Sequence, residues 1–180
     1  MQNLRKSVAE ISGRPGGYQD LRVKTSLTGV FVGLSEITDA PVRATLRAES
    51  VMEGILVTGR LRASASSQCA RCLRDVASNV DLDICELFAA SGHEPPGGQD
   101  PYRVDGLEID LEPMLRDALG LALPLRALCR QDCPGLCARC GQDLADASCD
   151  CAQDEPDPRW AALDSLRKEL ESRPGRTATG

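Results

Sequence analysis

The sequence predicts an α+β fold: an antiparallel sheet with a covering helix, a Cys-rich zinc-binding segment and a C-terminal helix. Three observations carry that prediction. Apolar and polar residues alternate through positions 42–63, an apolar stripe with helical spacing follows Asp110, and six of the nine cysteines crowd into residues 129–151. With 42% hydrophobic but only 3% aromatic residues, the 180-residue chain can bury one modest core of Leu, Val, Ala and Ile. The expected organisation is a β-rich domain with its covering helix over residues 1–127. Residues 128–171 follow as a Cys-rich zinc segment with the C-terminal helix packed on it, and 172–180 as a disordered tail.

Leu4, Val8 and Ile11 mark a short first element, ended by the turn residues of 13–17. Val23, Leu27, Val30, Val32 and Leu34 suggest extended chain interrupted at Gly29 and Gly33. A hairpin follows. Val42, Ala44, Leu46 and Ala48 alternate with Arg43, Thr45, Arg47 and Glu49, and beyond Glu53-Gly54 the set Ile55, Val57, Gly59, Leu61 and Ala63 alternates with Thr58, Arg60 and Arg62. A two-residue turn at Glu53-Gly54 sets Leu46 opposite Leu61 and Arg47 opposite Arg60. Facing arginines cost stability and call for counter-ions.

A third strand carries Val76, Val80, Leu82 and Ile84 on one face and Asn79, Asp81, Asp83 and Cys85 on the other. Residues 91–106, rich in Pro and Gly, read as a mobile loop whose His93 is solvated. Asp110 caps a helix in which Leu111, Met114, Leu115, Ala118 and Leu119 form the core-facing stripe; Pro113 fits its first turn and Pro124 ends the region. Asp157-Pro158 resembles an N-cap and first helical residue, opening a final helix with the stripe Trp160, Leu163, Leu166 and Leu170.

The cysteines carry the strongest chemical signal. Cys137-Ala138-Arg139-Cys140-Gly141 is a knuckle that lets two thiolates reach one ion, with glycine permitting the turn. Cys149 and Cys151 are its nearest partners in sequence. Cys129 and Cys133 then complete a second site with Cys69 and Cys72, tying the segment after the helix to a strand connection. Swapped pairings, or one zinc with several free thiols, remain open, and Cys85 is left over. Four thiolates leave no open position for water, so the reading is one or two structural zinc ions rather than a metalloenzyme. The Cys69/Cys72 pair lies between two strands, whereas a thioredoxin-like pair needs a strand-to-helix junction.

No phosphate loop, G-x-S-x-G or H-E-x-x-H motif occurs, so no enzyme and no small-molecule substrate is expected. The formal net charge of −6 argues against a general nucleic-acid coat, although residues 1–76 carry +4 and residues 77–180 carry −10. Arg43, Arg47, Arg60 and Arg62 share one side of the hairpin and form the candidate RNA-binding face, with Arg71 and Arg74 at the adjoining knuckle. No apolar run is long enough for a bilayer and the start lacks a signal-peptide core, which gives a cytoplasmic expectation with no membrane partner.

In order along the chain stand ESVMEGILVTGRLRAS, CARCL, ICELF, EIDLEPMLRDALGLALPL, a C-x3-C followed by PGLC-x2-CG, then CDC and DPRWAALDSL. Together these resemble the bacterial YceD-like family, the large ribosomal RNA subunit accumulation proteins, over residues 40–170. The resemblance implies a non-enzymatic factor supporting large-subunit ribosomal RNA accumulation or ribosome assembly, with ribosomal RNA or a ribosomal protein as partner. The alternative is a zinc-stapled protein-interaction module without direct RNA contact.

Overall fold

The computed structural model describes residues 4–92, 102–151, 158–160, 163 and 166–168. The chain divides into two compact units, Met1–Gly135 and Leu136–Gly180. Among the described residues strand far outweighs helix, so the protein is mostly β and the α+β expectation is overturned. Two features produce the difference. Short strands that show no alternation in sequence enlarge the sheet, and the expected C-terminal helix is described only as a 3-10 turn at Pro158–Trp160 with helical positions at 163 and 166–168. Trp160, Leu163 and Leu166 stay 63%, 48% and 53% exposed, so this stripe is not core. Asp157, Leu170, the tail at 172–180 and His93 lie outside the described residues.

The first unit holds a curled half-barrel sheet. Its strands are β1 (Arg5–Ser7), β2 (Tyr18–Thr25), β3 (Phe31–Val32), β4 (Ser35–Ile37), β5 (Val42–Val51), β6 (Gly54–Gln68), β7 (Asp75–Ala89), β8 (Tyr102–Asp105) and β9 (Glu108–Asp110). β6 is the spine. β7 pairs antiparallel along its whole length, from Gly54↔Ala89 to Gln68↔Asp75, while β5 and β4 divide its other edge between them. β2 extends the sheet beyond β5. On the opposite side β8 joins β7 in parallel, followed by β9 and β1.

The hairpin register differs from the sequence expectation. Val51 pairs with Gly54, so the turn is Met52-Glu53; Arg47 faces Thr58, Thr45 faces Arg60, and Leu61 faces Ala44. A shift of two residues keeps every side chain on its expected face, because the strand period is two. Gly54 belongs to the strand for a different reason. It adopts φ +154°, and a Cβ there would lie 2.0 Å from the Phe88 carbonyl oxygen, so its bareness serves the approach of β7.

Gly59 plays the corresponding part midway along β6. At φ +147°, its Cβ would fall 2.2 Å from the Thr45 carbonyl oxygen and 2.8 Å from the Leu46 Cα. Glycine inside a strand often marks a close backbone approach, and here it admits β5.

The concave face buries Val42, Leu46, Ile55, Val57, Leu61, Ile84 and Phe88 against α1 (Leu111–Ala122). Leu111, Met114, Leu115 and Leu119 of α1 are buried, joined by Leu4, Val8 and Ile11 from the start of the chain. The Glu112 amide donates to Asp110 Oδ1 at 3.0 Å, capping the helix. Arg116 holds the following turn, donating to Glu112 and to the Thr28 carbonyl oxygen, both at 2.9 Å.

The expected loop over 91–106 is shortened at its end by β8. The Tyr102 ring lies 5.3 Å from that of Phe88, and its hydroxyl donates to Asp117 at 2.8 Å. Partial burial and that carboxylate push its pKa upward. No helix among the described residues is long and apolar enough to cross a membrane.

Replacing Gly59 by Ala forces backbone apart at the centre of the sheet and is expected to destabilise the protein by about 2 kcal/mol or more. Gly120→Ala in α1, where an added Cβ meets nothing within 4 Å, is expected to stabilise it by about 0.5–1 kcal/mol. Urea unfolding of the two variants checks both signs.

Candidate metal centres and the arginine face

The connection between β6 and β7 is Cys69-Ala70-Arg71-Cys72-Leu73-Arg74, and its backbone closes as a knuckle. The Leu73 amide donates to the Cys69 carbonyl at 2.9 Å, and the Cys69 amide to the Arg74 carbonyl at 2.8 Å. The same tetrapeptide recurs at Cys137-Ala138-Arg139-Cys140, followed by Gly141. There the Gly141 amide donates to the Cys137 carbonyl at 2.9 Å and the Cys137 amide to the Gln142 carbonyl at 2.8 Å. Gly141 sits at φ +73° and Leu73 at φ +61°. The sequence reading missed this equivalence, for which the repeated Cys-Ala-Arg-Cys was the available clue.

In the first unit, residues 127–133 form a strap across the upstream knuckle. The Ala70 amide donates to the Ala127 carbonyl at 2.8 Å, and Arg71 Nη1 reaches the carbonyl oxygens of Cys133 at 2.8 Å and Gln131 at 3.4 Å. Arg71, grouped in sequence with the arginine face, thus positions the strap. Cys69 Sγ lies 3.9 Å from Cys133 Sγ, and Cys72 Sγ lies 3.6 Å from Cys129 Sγ. All four sulfurs fall within 4.8 Å of one another. Four sulfurs each ~2.3 Å from one tetrahedral ion are about 3.8 Å apart, so the spacing suits a shared metal. A disulfide needs about 2.05 Å, and all nine cysteines are free.

The second unit brings together Cys137, Cys140, Cys149 and Cys151, again within 4.8 Å. An antiparallel bridge, Leu136↔Asp143, closes the base of its knuckle. Asp143 then turns the chain back: its Oδ1 accepts from the Ala145 amide at 2.9 Å and its carbonyl from the amides of Asp146 and Ala147, each at 3.1 Å. Cys137 is the one buried side chain among the described residues of this unit.

Electrostatics single out one sulfur in each quartet. Amides, foremost those of Cys129 and of Cys140 respectively, hold Cys69 and Cys137 down to about 6. Burial first pushes Cys129 up to about 12, while hydrogen bonding with Cys140 and then burial push Cys151 up to about 12. Cys72 and Cys149 are raised despite the lowering pull of the Arg74 and Cys151 amides, Cys72 by burial and the Cys69 sulfur, Cys149 by the Cys137 sulfur and burial. A cation with thiolate affinity would resolve this competition for protons. Cys85 stands apart, exposed on β7 opposite Thr58.

Arg43, Arg47, Arg60 and Arg62 all project from the convex face, and the counter-ions are strand neighbours. Arg47 Nε meets Asp20 at 3.0 Å and stacks its guanidinium 4.3 Å from the Tyr18 ring centroid. Arg60 reaches both Asp81 and Asp83 at 3.3 Å, and Arg62 reaches Asp81 at 3.1 Å. Arg43 forms no ion pair among the described residues. Three of the four candidate RNA-binding arginines are therefore already compensated.

These features define a class: a mostly β protein with a tetrathiol strap on its sheet, followed by a small unit built around a second tetrathiol cluster. The chain belongs to the family described as large ribosomal RNA subunit accumulation protein YceD, whose profile matches residues 57–167. An uncharacterized protein of Mycobacterium tuberculosis is 40% identical over 162 residues, covering 87% of this chain and 77% of the relative. One from Mycobacterium leprae is 37% identical over 166 residues, covering 88% and 75%. The Arabidopsis thaliana protein named large ribosomal RNA subunit accumulation protein YCED homolog 1, chloroplastic, is 34% identical over 68 residues, 38% of this chain and 21% of its own length. No solved structure matches.

Leucine in the left-handed region costs about 1–2 kcal/mol, and Leu73 is 54% exposed, so little packing repays it. Leu73→Gly gives the upstream knuckle the residue that the downstream one has. The expected result is a gain of up to about 1 kcal/mol after the entropy cost of glycine, read as a higher thermal midpoint.

Proposed function

We propose that this protein is a non-enzymatic factor in large-subunit ribosomal RNA accumulation, acting in the cytoplasm through contact with ribosomal RNA or a ribosomal protein. Each cysteine quartet would hold one structural zinc ion. Family membership carries the first statement, because the matched segment runs from β6 through both quartets. The sulfur spacing and the all-thiol donor set support the second. In this reading the metals hold shape, and the convex face makes the contact with RNA. The second reading, a zinc-stapled protein-interaction module without RNA contact, is favoured by the ion pairs on Arg47, Arg60 and Arg62 and by the exposed Trp160, Leu163 and Leu166.

Metal analysis of purified protein is expected to give two zinc ions per chain, falling to one in Cys69→Ser and in Cys137→Ser. Arg71→Ala is expected to weaken zinc at the upstream site by roughly 10–100-fold while sparing the other, as loss of a group supporting metal ligands does elsewhere. Iron, or no metal, would overturn the assignment.

Sedimentation of lysates separates the two functional readings. Co-migration with large-subunit precursors that is lost after ribonuclease supports RNA contact; association that survives ribonuclease and depends on Trp160 and Leu163 supports the protein module.

A further inference from the structure

The strand register arranges the convex face in rows. One row is Asp20–Arg47–Thr58–Cys85, the next Arg22–Thr45–Arg60–Asp83, and the third Lys24–Arg43–Arg62–Asp81. The carboxylates on β7 engage Arg60 and Arg62, and Asp20 engages Arg47. Those guanidiniums must surrender a carboxylate before they can take a phosphate. At the other side of the face, Arg22, Lys24 and Arg43 are exposed and have no ion pair among the described residues.

These three cations are close neighbours. Lys24 and Arg43 are directly opposite across β2 and β5, and Arg22 lies two residues along β2 on the same face. Directly opposed residues have Cβ atoms about 4.5–5.5 Å apart, and like charges so placed are destabilising. Row three repeats the cost by setting Arg43 opposite Arg62. Folding gains nothing from three adjacent cations, whereas a polyanion lying across them reverses the sign of the interaction.

We propose that the corner formed by Arg22, Lys24 and Arg43 is the phosphate-binding surface of this protein, and that it takes the sugar-phosphate backbone of ribosomal RNA. This rests on the direct-contact reading above. Arginine suits bidentate phosphate contacts, and strands hold the three groups at fixed spacing. Tyr18, the nearby aromatic, is occupied by Arg47, so the corner tracks backbone and does not read stacked bases. A net charge of −6 repels RNA from the rest of the surface and confines the footprint.

The test uses the full zinc-loaded chain and deproteinised large-subunit ribosomal RNA, with binding measured over a range of salt. The combined variant Arg22→Gln, Lys24→Gln, Arg43→Gln is expected to lose about 10-fold or more in affinity and about 2 in the slope of log K against log salt. Arg60→Gln with Arg62→Gln is expected to stay close to the parent. Lys24→Glu, which places opposite charges face to face, is expected to raise the thermal midpoint while weakening RNA binding, a split that damage to the fold cannot produce. Steep, salt-dependent binding by the parent that the triple variant retains would overturn the corner and leave direct RNA contact standing. Absence of RNA binding by the parent would remove both. Competition by polyglutamate as effective as that by RNA would overturn the corner as an RNA site and reassign it to an acidic protein segment.

Discussion

Eight sulfurs gathered into two clusters, each within 4.8 Å, are the constraint on which the rest of the structure depends. Amides hold one sulfur of each cluster down to about 6, while crowding and burial push another up to about 12. A cation held at either cluster would turn the same crowding into a clamp. The two units stand differently toward that clamp. The sheet has a core reaching from Leu4 to Leu123 and uses the cysteines to fasten a strap. In the second unit Cys137 alone is buried among the described side chains, and an ion held by its quartet would add order there.

How legible the fold was depended on the range of the interaction. The alternation through 42–63, broken near the turn by Val51 and Leu56, gave which side chains point inward, since that is a matter of parity. The register was hidden, because Gly54 resembles a turn residue and is needed instead where the Phe88 carbonyl approaches. β1, β8 and β9, of three or four residues, are too short to show a period, which is why the sheet outgrew the α+β expectation. The apolar stripe at Trp160, Leu163 and Leu166 promised a core helix, but these side chains are exposed. Periodicity shows that one face is apolar, not that anything covers it.

The candidate site divides along the same line. Cysteine spacing suggested both quartets but left swapped pairings open, because Cys69 and Cys72 lie far upstream of Cys129 and Cys133 and only the fold brings these four together. Leu73 was not legible as a left-handed residue; only its equivalence to Gly141 in the repeated knuckle reveals it. The aspartates that neutralise the arginine face were visible as the wet side of β7. That Asp83 stands opposite Arg60 and Asp81 opposite Arg62 required the register.

The upstream knuckle and the charged face share one structural cause. The knuckle closes the β6–β7 turn where Gln68 pairs with Asp75, so fastening Cys69 and Cys72 fixes the register of the whole ladder. A slip of one residue would send Asp81 and Asp83 inward and Val80 and Ile84 out to solvent. Fixed register places carboxylates beside Arg60 and Arg62 and leaves Arg43 bare, so the face runs from compensated at β7 to cationic at β2. Exposed ion pairs add little stability, so this arrangement matters less for holding the sheet together than for which cations it leaves without a carboxylate. A thiol clamp would therefore act on the charged face at a distance, by holding fixed the pairing that decides which arginines meet a carboxylate.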